Sequence, residues 1–476
     1  MVEHLDRRGF FARALGLGPL ALAALRAEEQ QQQQQQQGQR DPVAPKPPHF
    51  RARARAVIYL NMTGAPSQFD SFEHKPTLQR LSGQPIPESF LAGQRFAFIK
   101  PGEKPNLLAS PWKLAQHGQT GAFVTELLPN IARIVDKLTF VRGMVTDEIN
   151  HVPAQLFFET GSPRMGRPSM GSWVTYGLGS MAKDLPGFVV LASGKAGRCG
   201  TTCWGSGFLP SLYQGIALRS SEEAVLGLAD APGIDRALRR STLDSLQALN
   251  AARMQEVRDP EIEARIAQYE LAFRMQSAVP ELMDIDKEPA AIHALYGTEP
   301  GKATFANHCL LARRLVERGV RFVELTHGGW DHHGGGDQNL VTDFPLRCSQ
   351  IDRGTMALIL DLESRGLLDD VLVIWGGEFG RTPMTQGKQD PKDLGRDHLK
   401  TAFTIFLAGG GIKPGTSLGE TDELGMTVTK DKVHVHDLQA TILHLLGLEH
   451  TKLVYRYQGR DFRLTDVAGE VVSALF

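Results

Sequence analysis

Short, nearly continuous apolar runs recur along the chain at 56–62, 139–144, 185–191, 320–325, 371–375 and 401–408. Runs of this length without polar alternation suit strands covered on both faces. Between them lie stretches whose apolar residues recur at helical spacing: 126–137, a segment reaching Glu159, 304–318, 343–365, and 436–446 with Gly447 as its C-terminal stop. Helices alternating with buried strands predict an α/β fold, with a large, mainly parallel central sheet and helices on both faces. Long charged helical patterns at 235–258 and 260–275 break this alternation and predict a helical insertion at about 220–288. No internal repeat is visible.

The chemistry gathers just beyond the strands. The run 320–325 leads into His327, Asp331, His332, His333 and Asp337 set among glycines. The run 371–375 leads into Glu378 and Arg381, followed soon by Asp397 and His398. The run 56–62 leads into Asp70, and 139–144 into His151. In open α/β sheets the working crevice lies outside the carboxyl ends of the strands. Carboxylates and imidazoles held there are the donors that divalent ions take. Asp331, His333, Glu378, Asp397, His398 and Asp70 are the candidate metal ligands, for zinc, calcium or magnesium. Plainer readings stand beside these: the Asp-His pairs as surface hydrogen bonds, Asp70 as a turn cap, Glu378 with Arg381 as an ion pair, and His327 as a satisfied loop histidine. His151 is the candidate base or nucleophile, and Arg381 the candidate clamp for substrate oxygens, since a guanidinium grips an oxyanion with two parallel bonds. Lys400 is a second candidate for that role. No phosphate loop, Gly-x-Ser-x-Gly elbow or His-Glu-x-x-His motif occurs.

Composition changes this picture little. A net charge of -1 gives no reason to expect nucleic acid as a partner. The four cysteines, Cys199, Cys203, Cys309 and Cys348, include no Cys-x-x-Cys pair, and Cys199 with Cys203 is a candidate disulfide if the chain is exported. Export is expected: Arg7-Arg8 precedes an apolar stretch at 14–25 that is too short to span a membrane. The predicted organisation is a twin-arginine signal peptide at 1–27, a disordered Gln/Pro-rich linker at 28–48, and a domain at 49–476 with no transmembrane span. The location would be periplasmic or extracellular.

Several motifs together carry a resemblance. They are Gly64-Ala65-Pro66-Ser67 with Asp70, Trp330-Asp331-His332-His333, Glu378-Phe379-Gly380-Arg381-Thr382-Pro383, Gly395-Arg396-Asp397-His398 and His436-Asp437-Leu438-Gln439-Ala440-Thr441. With the twin-arginine start they resemble an exported bacterial family known as domain of unknown function 1501, grouped with the alkaline phosphatase and sulfatase superfamily. The resemblance implies that superfamily's large sheet with a metal site at its strand ends. It puts Asp331, His333, Glu378 and His398 at ligand positions. The chain departs from the pattern at Asn61-Met62-Thr63, where a metal-binding Asp is usual, at Gln68, at Phe379, and before Thr160-Gly161, where His151 and Thr146 stand in place of a hydroxyl or thiol nucleophile. The function expected is an exported metal-dependent hydrolase of sulfate or phosphate esters, acting on a small-molecule or polysaccharide ester. The alternative is a non-catalytic exported protein on the same fold that binds carbohydrate or protein.

Overall fold

The computed structural model describes residues 41–476 apart from 194–198, 221–223, 226, 258 and 387–389. The signal peptide and most of the predicted linker lie outside the described residues. The linker's last stretch is seated on the body: Lys46 N donates to Leu178 O at 2.9 Å, and Ser180 N to Val43 O at 2.7 Å. Residues 41–48 therefore belong to the fold and are not a free tether.

The elements that position the site are, in order, β1 (Ala56–Thr63), β2 (Thr139–Val145), α1 (His151–Thr160), α2 (Met170–Leu178), β3 (Phe188–Ser193), β4 (Ile216–Leu218), α3 (Arg236–Val257), α4 (Pro260–Met283), α5 (Phe305–Glu317), β5 (Phe322–Gly328), α6 (Asp343–Ser364), β6 (Val371–Gly376), β7 (Phe403–Ala408), β8 (Thr416–Leu418), β9 (Val433–His434) and α7 (Val435–Leu445). The strands form one sheet in the order β8-β2-β7-β6-β1-β5-β3-β4, with β9 added beside β2. Every pairing is parallel except the two made by β7, which runs antiparallel to both β2 and β6. The sheet is thus mainly parallel, as expected.

All residues of β1, β5, β6 and β7 are buried, because helices cover both faces. On one face α5 and α6 supply Leu310, Leu311, Ile351 and Leu358; α4 of the insertion adds Met275, Val279 and Leu282. On the other face α1, α2 and α7 supply Phe157, Trp173 and Leu438. The predicted helix at 126–137 differs from the structure. It is two separate turns, Pro129–Ala132 and Val135–Lys137. Pro129 sets the start, and the Asp352 carboxylate takes the Asn130 and Ile131 N–H groups, so the first turn is satisfied without a longer helix.

Two buried polar contacts stand out. Asn61 of β1 donates through Nδ2 to Glu159 of α1 and to Glu324 of β5, each at 2.9 Å. Burial pushes the Glu159 carboxyl well up and Glu324 up to about 7. The second pair is Asp70 with Arg396, fully buried, with Nε to Oδ2 at 2.7 Å. The guanidinium also donates to the carbonyls of Leu108 and Thr382, so it ties three loops at the strand ends together.

A raised native carboxyl pKa favours folding below its unfolded value and loses that advantage as pH rises toward the folded value. Glu324→Gln is therefore expected to flatten the fall in melting temperature between about pH 4.5 and 7 and to raise it at pH 8. Denaturation curves across that range check this, and an unchanged pH slope would contradict it. Asp70→Asn strands a buried guanidinium and should cost about 3–5 kcal/mol in urea unfolding.

Candidate metal centre

Parallel strands present their C-terminal ends along one edge of the sheet, and β7, being antiparallel, presents its N-terminal end there. β5 leads to Asp331 and His333. β2 leads to His151, the first residue of α1, and the chain entering β7 carries His398. Four groups from three parts of the chain converge: the ligand-type atoms of His151, Asp331, His333 and His398 all lie within 4.8 Å of one another. Two glycines make the approach possible. Gly64 has φ +105°, and a Cβ there would meet Trp330 N and Asp331 N at 2.9 Å. A Cβ on Gly395 would meet the His333 carbonyl carbon at 1.8 Å.

Each imidazole is oriented from behind. His151 Nδ1 is 2.7 Å from Glu378 Oε1, His333 Nδ1 is 2.5 Å from Gln386 Oε1, and His398 Nδ1 is 2.7 Å from the Ile149 carbonyl. Those acceptors take the Nδ1 protons, so all three Nε2 lone pairs face inward. They meet at Asp331 Oδ1, which is 2.9 Å from His151 Nε2, 2.7 Å from His333 Nε2 and 3.5 Å from His398 Nε2. His333 Nε2 and His398 Nε2 are 3.0 Å apart. His151 Nε2 is buried without a hydrogen bond of sound geometry, despite its closeness to Asp331. Nitrogen and oxygen lone pairs at these separations repel unless a cation or protons lie between them, so the donor set fits a divalent ion.

The electrostatics agree. Burial pulls the His398 imidazole down to about 3, so it is neutral with its free lone pair inward. Burial also opposes charge on His151, but the adjoining Asp331 and Glu378 carboxylates outweigh it and raise its pKa. Burial pushes Asp331 up, yet the His151, His333 and His398 nitrogens that close on it, across a gap that a cation or protons must fill, and the Arg381 charge hold it far below the usual carboxylate range.

The other predicted residues sit elsewhere. Glu378 lies one step out: besides His151 it accepts from Gln155 Nε2 at 2.9 Å and from Gly64 N at 3.1 Å. Asp397 faces away, accepting from Phe98 N, Ile99 N and His398 N. Asp70 is committed to Arg396. Arg381, expected to clamp substrate oxygens, is 1% exposed, and its donors are taken. It binds Asp331 Oδ1 at 2.7 Å, Ala65 O at 3.0 Å, and the carbonyls of Gly64 and Arg396, so it holds the site together from beneath. Lys400 donates to Asp147 O. His332 pairs with Asp343, and His327 lies between Gln350 and Trp330. His151, read as a base, has Nδ1 on Glu378 and Nε2 facing Asp331. Cys199 and Cys203 are bridged, with Cα atoms 5.8 Å apart.

Sequence reasoning passed over Gln386, Gln155 and Phe98, and took Phe379 only as a departure from the family pattern. Phe379 is buried under the His151 and His398 rings, with centroids 4.9 and 4.4 Å away. Phe98 packs on His333 and His398 in edge-to-face geometry. Beside His333 a cavity of about 560 Å³ opens, walled by Phe98, Ile99, Glu103, Lys104 and Gln386.

No curated protein matches this chain. Solved structures similar to it include the lipoteichoic acid synthase LtaP from Listeria monocytogenes, at 10% identity and TM-score 0.35 over 89% of this chain and 78% of that one. The PsFucS1 sulfatase from Pseudoalteromonas sp. gives 12% identity and TM-score 0.36 over 83% and 68%. The alkaline phosphatase from the Antarctic bacterium TAB5 gives 11% and 0.32 over 84% and 99%. Likenesses this distant say nothing about activity, and the fold rests on the sheet order given above. The family model described as protein of unknown function, DUF1501, matches residues 54–476, nearly all of the chain that carries the sheet and the histidine cluster, and the chain belongs to that family.

Proposed function

We propose that His151, Asp331, His333 and His398 hold one divalent ion, zinc by donor type, and that the centre hydrolyses phosphate or sulfate esters. The observation that carries the metal reading is the convergence of three inward Nε2 lone pairs on one Asp331 oxygen, each ring fixed from behind. Three imidazoles and a carboxylate are a borderline donor set suited to zinc. A divalent charge less that of Asp331 leaves a positive centre, and Arg381 beneath Asp331 adds to it, which favours an anionic ester over a neutral one. Bound zinc would supply Lewis acidity toward an ester oxygen and acidify bound water. Glu378 fixes the His151 tautomer, and Gln386 and the Ile149 carbonyl do the same for the other two rings. The Asp331 carboxylate is kept ionised and aimed by Arg381.

The second reading, an exported protein that binds carbohydrate or protein without catalysis, draws support from the completeness of the set. Four protein donors of which three belong to buried residues and only His333 is partly exposed resemble a closed structural site. Export is argued from Arg7-Arg8 and the Cys199–Cys203 bridge. Among the described residues no helix is long and apolar enough to cross a membrane. N-terminal sequencing of material recovered from outside the cytoplasm should begin well after the twin arginines, and an intact N-terminus would contradict export by cleavage.

Elemental analysis of the purified chain is expected to find about one zinc per molecule, and His398→Ala to abolish it; a metal-free wild type would end the metal reading. Glu378→Gln should keep the metal but weaken its affinity roughly 10–100-fold, the cost of losing an orienting partner. Affinity should climb with pH, because zinc competes with a proton at His151 Nε2, whose pKa is raised. The zinc-loaded chain should turn over 4-nitrophenyl phosphate or sulfate, lose that with chelator and regain it with zinc. Retained zinc without turnover of either would favour the second reading.

A further inference from the structure

Phe379 and Phe98 both pack against the His398 imidazole. Phe379 is 1% exposed and fills space under the rings. Phe98 lies with its centroid 4.9 Å from His333 and 5.6 Å from His398, yet 54% of it remains exposed. A large apolar ring left half open to water beside a polar centre forgoes much of the gain from burial. Its position is nevertheless fixed: the backbone N–H groups of Phe98 and Ile99 both donate to Asp397 Oδ2, at 2.9 and 3.0 Å, and Asp397 Oδ1 accepts from His398 N at 2.7 Å. One buried carboxylate thus locks the Phe98 loop to the strand that carries His398. The ring forms a wall of the 560 Å³ cavity, whose other walls include Glu103, Thr385 and Gln386, able to meet hydroxyls, and Lys104, able to meet a hydroxyl or an anion. The volume is that of a small-molecule site.

We infer that Phe98 is a specificity-determining platform, on which the apolar face of a pyranose ring rests so that its ester group reaches the centre at His333 and His398. The inference rests on the metal-centre reading for the position of the ester, but the platform itself is a matter of binding. A sugar ring offers C–H bonds on one face and hydroxyls at its edge. That match to one aromatic wall and four polar side chains is closer than the match of a flexible acyclic ester. Asp397 acts here as a positioning residue, through the loop it ties down.

The test is ligand-observed saturation-transfer NMR on the zinc-loaded full chain. Glucose 6-phosphate and glucose 6-sulfate are compared with glycerol 3-phosphate and glycerol 3-sulfate, and zinc content and turnover are measured in parallel. The pyranose esters are expected to bind several-fold more tightly, with saturation strongest on ring C–H protons. Phe98→Ala should reduce that preference roughly threefold to tenfold, the worth of an aromatic contact, and leave zinc content unchanged. Phe98→Tyr should retain the preference. Equal binding of ring and chain esters, or a preference unmoved by Phe98→Ala, would overturn the platform whether or not either ester is hydrolysed. Ring-selective, Phe98-dependent binding without turnover would uphold the platform and count against the hydrolase. Should Phe98→Ala lose zinc or fold poorly, Phe98→Leu, which keeps an apolar side chain without a flat face, gives the same comparison.

Discussion

Lone pairs brought together in a dry pocket repel, and the strand-end architecture resists that repulsion. His333 Nε2 and His398 Nε2 are 3.0 Å apart, and both face the same carboxylate oxygen. Nothing in an apolar interior favours this arrangement on its own, so it has to be imposed. The imposition comes from behind each ring, through Glu378, Gln386 and the Ile149 carbonyl, and from below, through Arg381. Those groups are in turn held by the backbone: Gly64 N on Glu378, and the Gly64 and Ala65 carbonyls on Arg381. The loop after β1 contributes no donor to the cluster, but it fixes the partners of two of the four groups.

This division of labour explains how the polar residues are shared out. A motif such as Gly395-Arg396-Asp397-His398 sets three polar residues in a row, of which Asp397 and His398 read as ligands. In the structure one faces the centre, one ties down the Phe98 loop, and one neutralises Asp70 in the interior. Glu378-Phe379-Gly380-Arg381 divides the same way. Glu378 orients, Phe379 packs beneath the imidazoles, and Arg381 braces Asp331. Charged residues are buried here because each is paired, and the pairs join loops at the strand ends.

The sheet was legible in the sequence because a strand covered on both faces has to be apolar throughout, and β1, β5, β6 and β7 are. The direction of β7 was not, since an antiparallel strand buried on both faces has the same composition as a parallel one. Asp331, His333 and His398 were visible as ligand types beyond strands. His151 was visible too, but as a base, because the sequence does not show that its second nitrogen faces Asp331. Glu378 and Asp397 carry the right chemistry for ligands, and only distance separates a ligand from the group that orients it. Phe98 and Gln386 lie outside any motif, and their closeness to the cluster depends on loop paths with no periodic signature. The helix expected over 126–137 failed because Asp352, far along the chain, satisfies its first turn.

The antiparallel course of β7 has a consequence for the order in which the protein comes into being. His151 is synthesised early, Asp331 and His333 much later, and His398 later still, just ahead of the strand that must slot between β2 and β6. β7 is the sheet's bridge between its two halves, so no partial chain emerging from the ribosome can assemble the cluster. On the proposed metal reading, the choice of ion would fall to the compartment in which the last third of the chain folds, and a protein exported already folded would carry that choice with it.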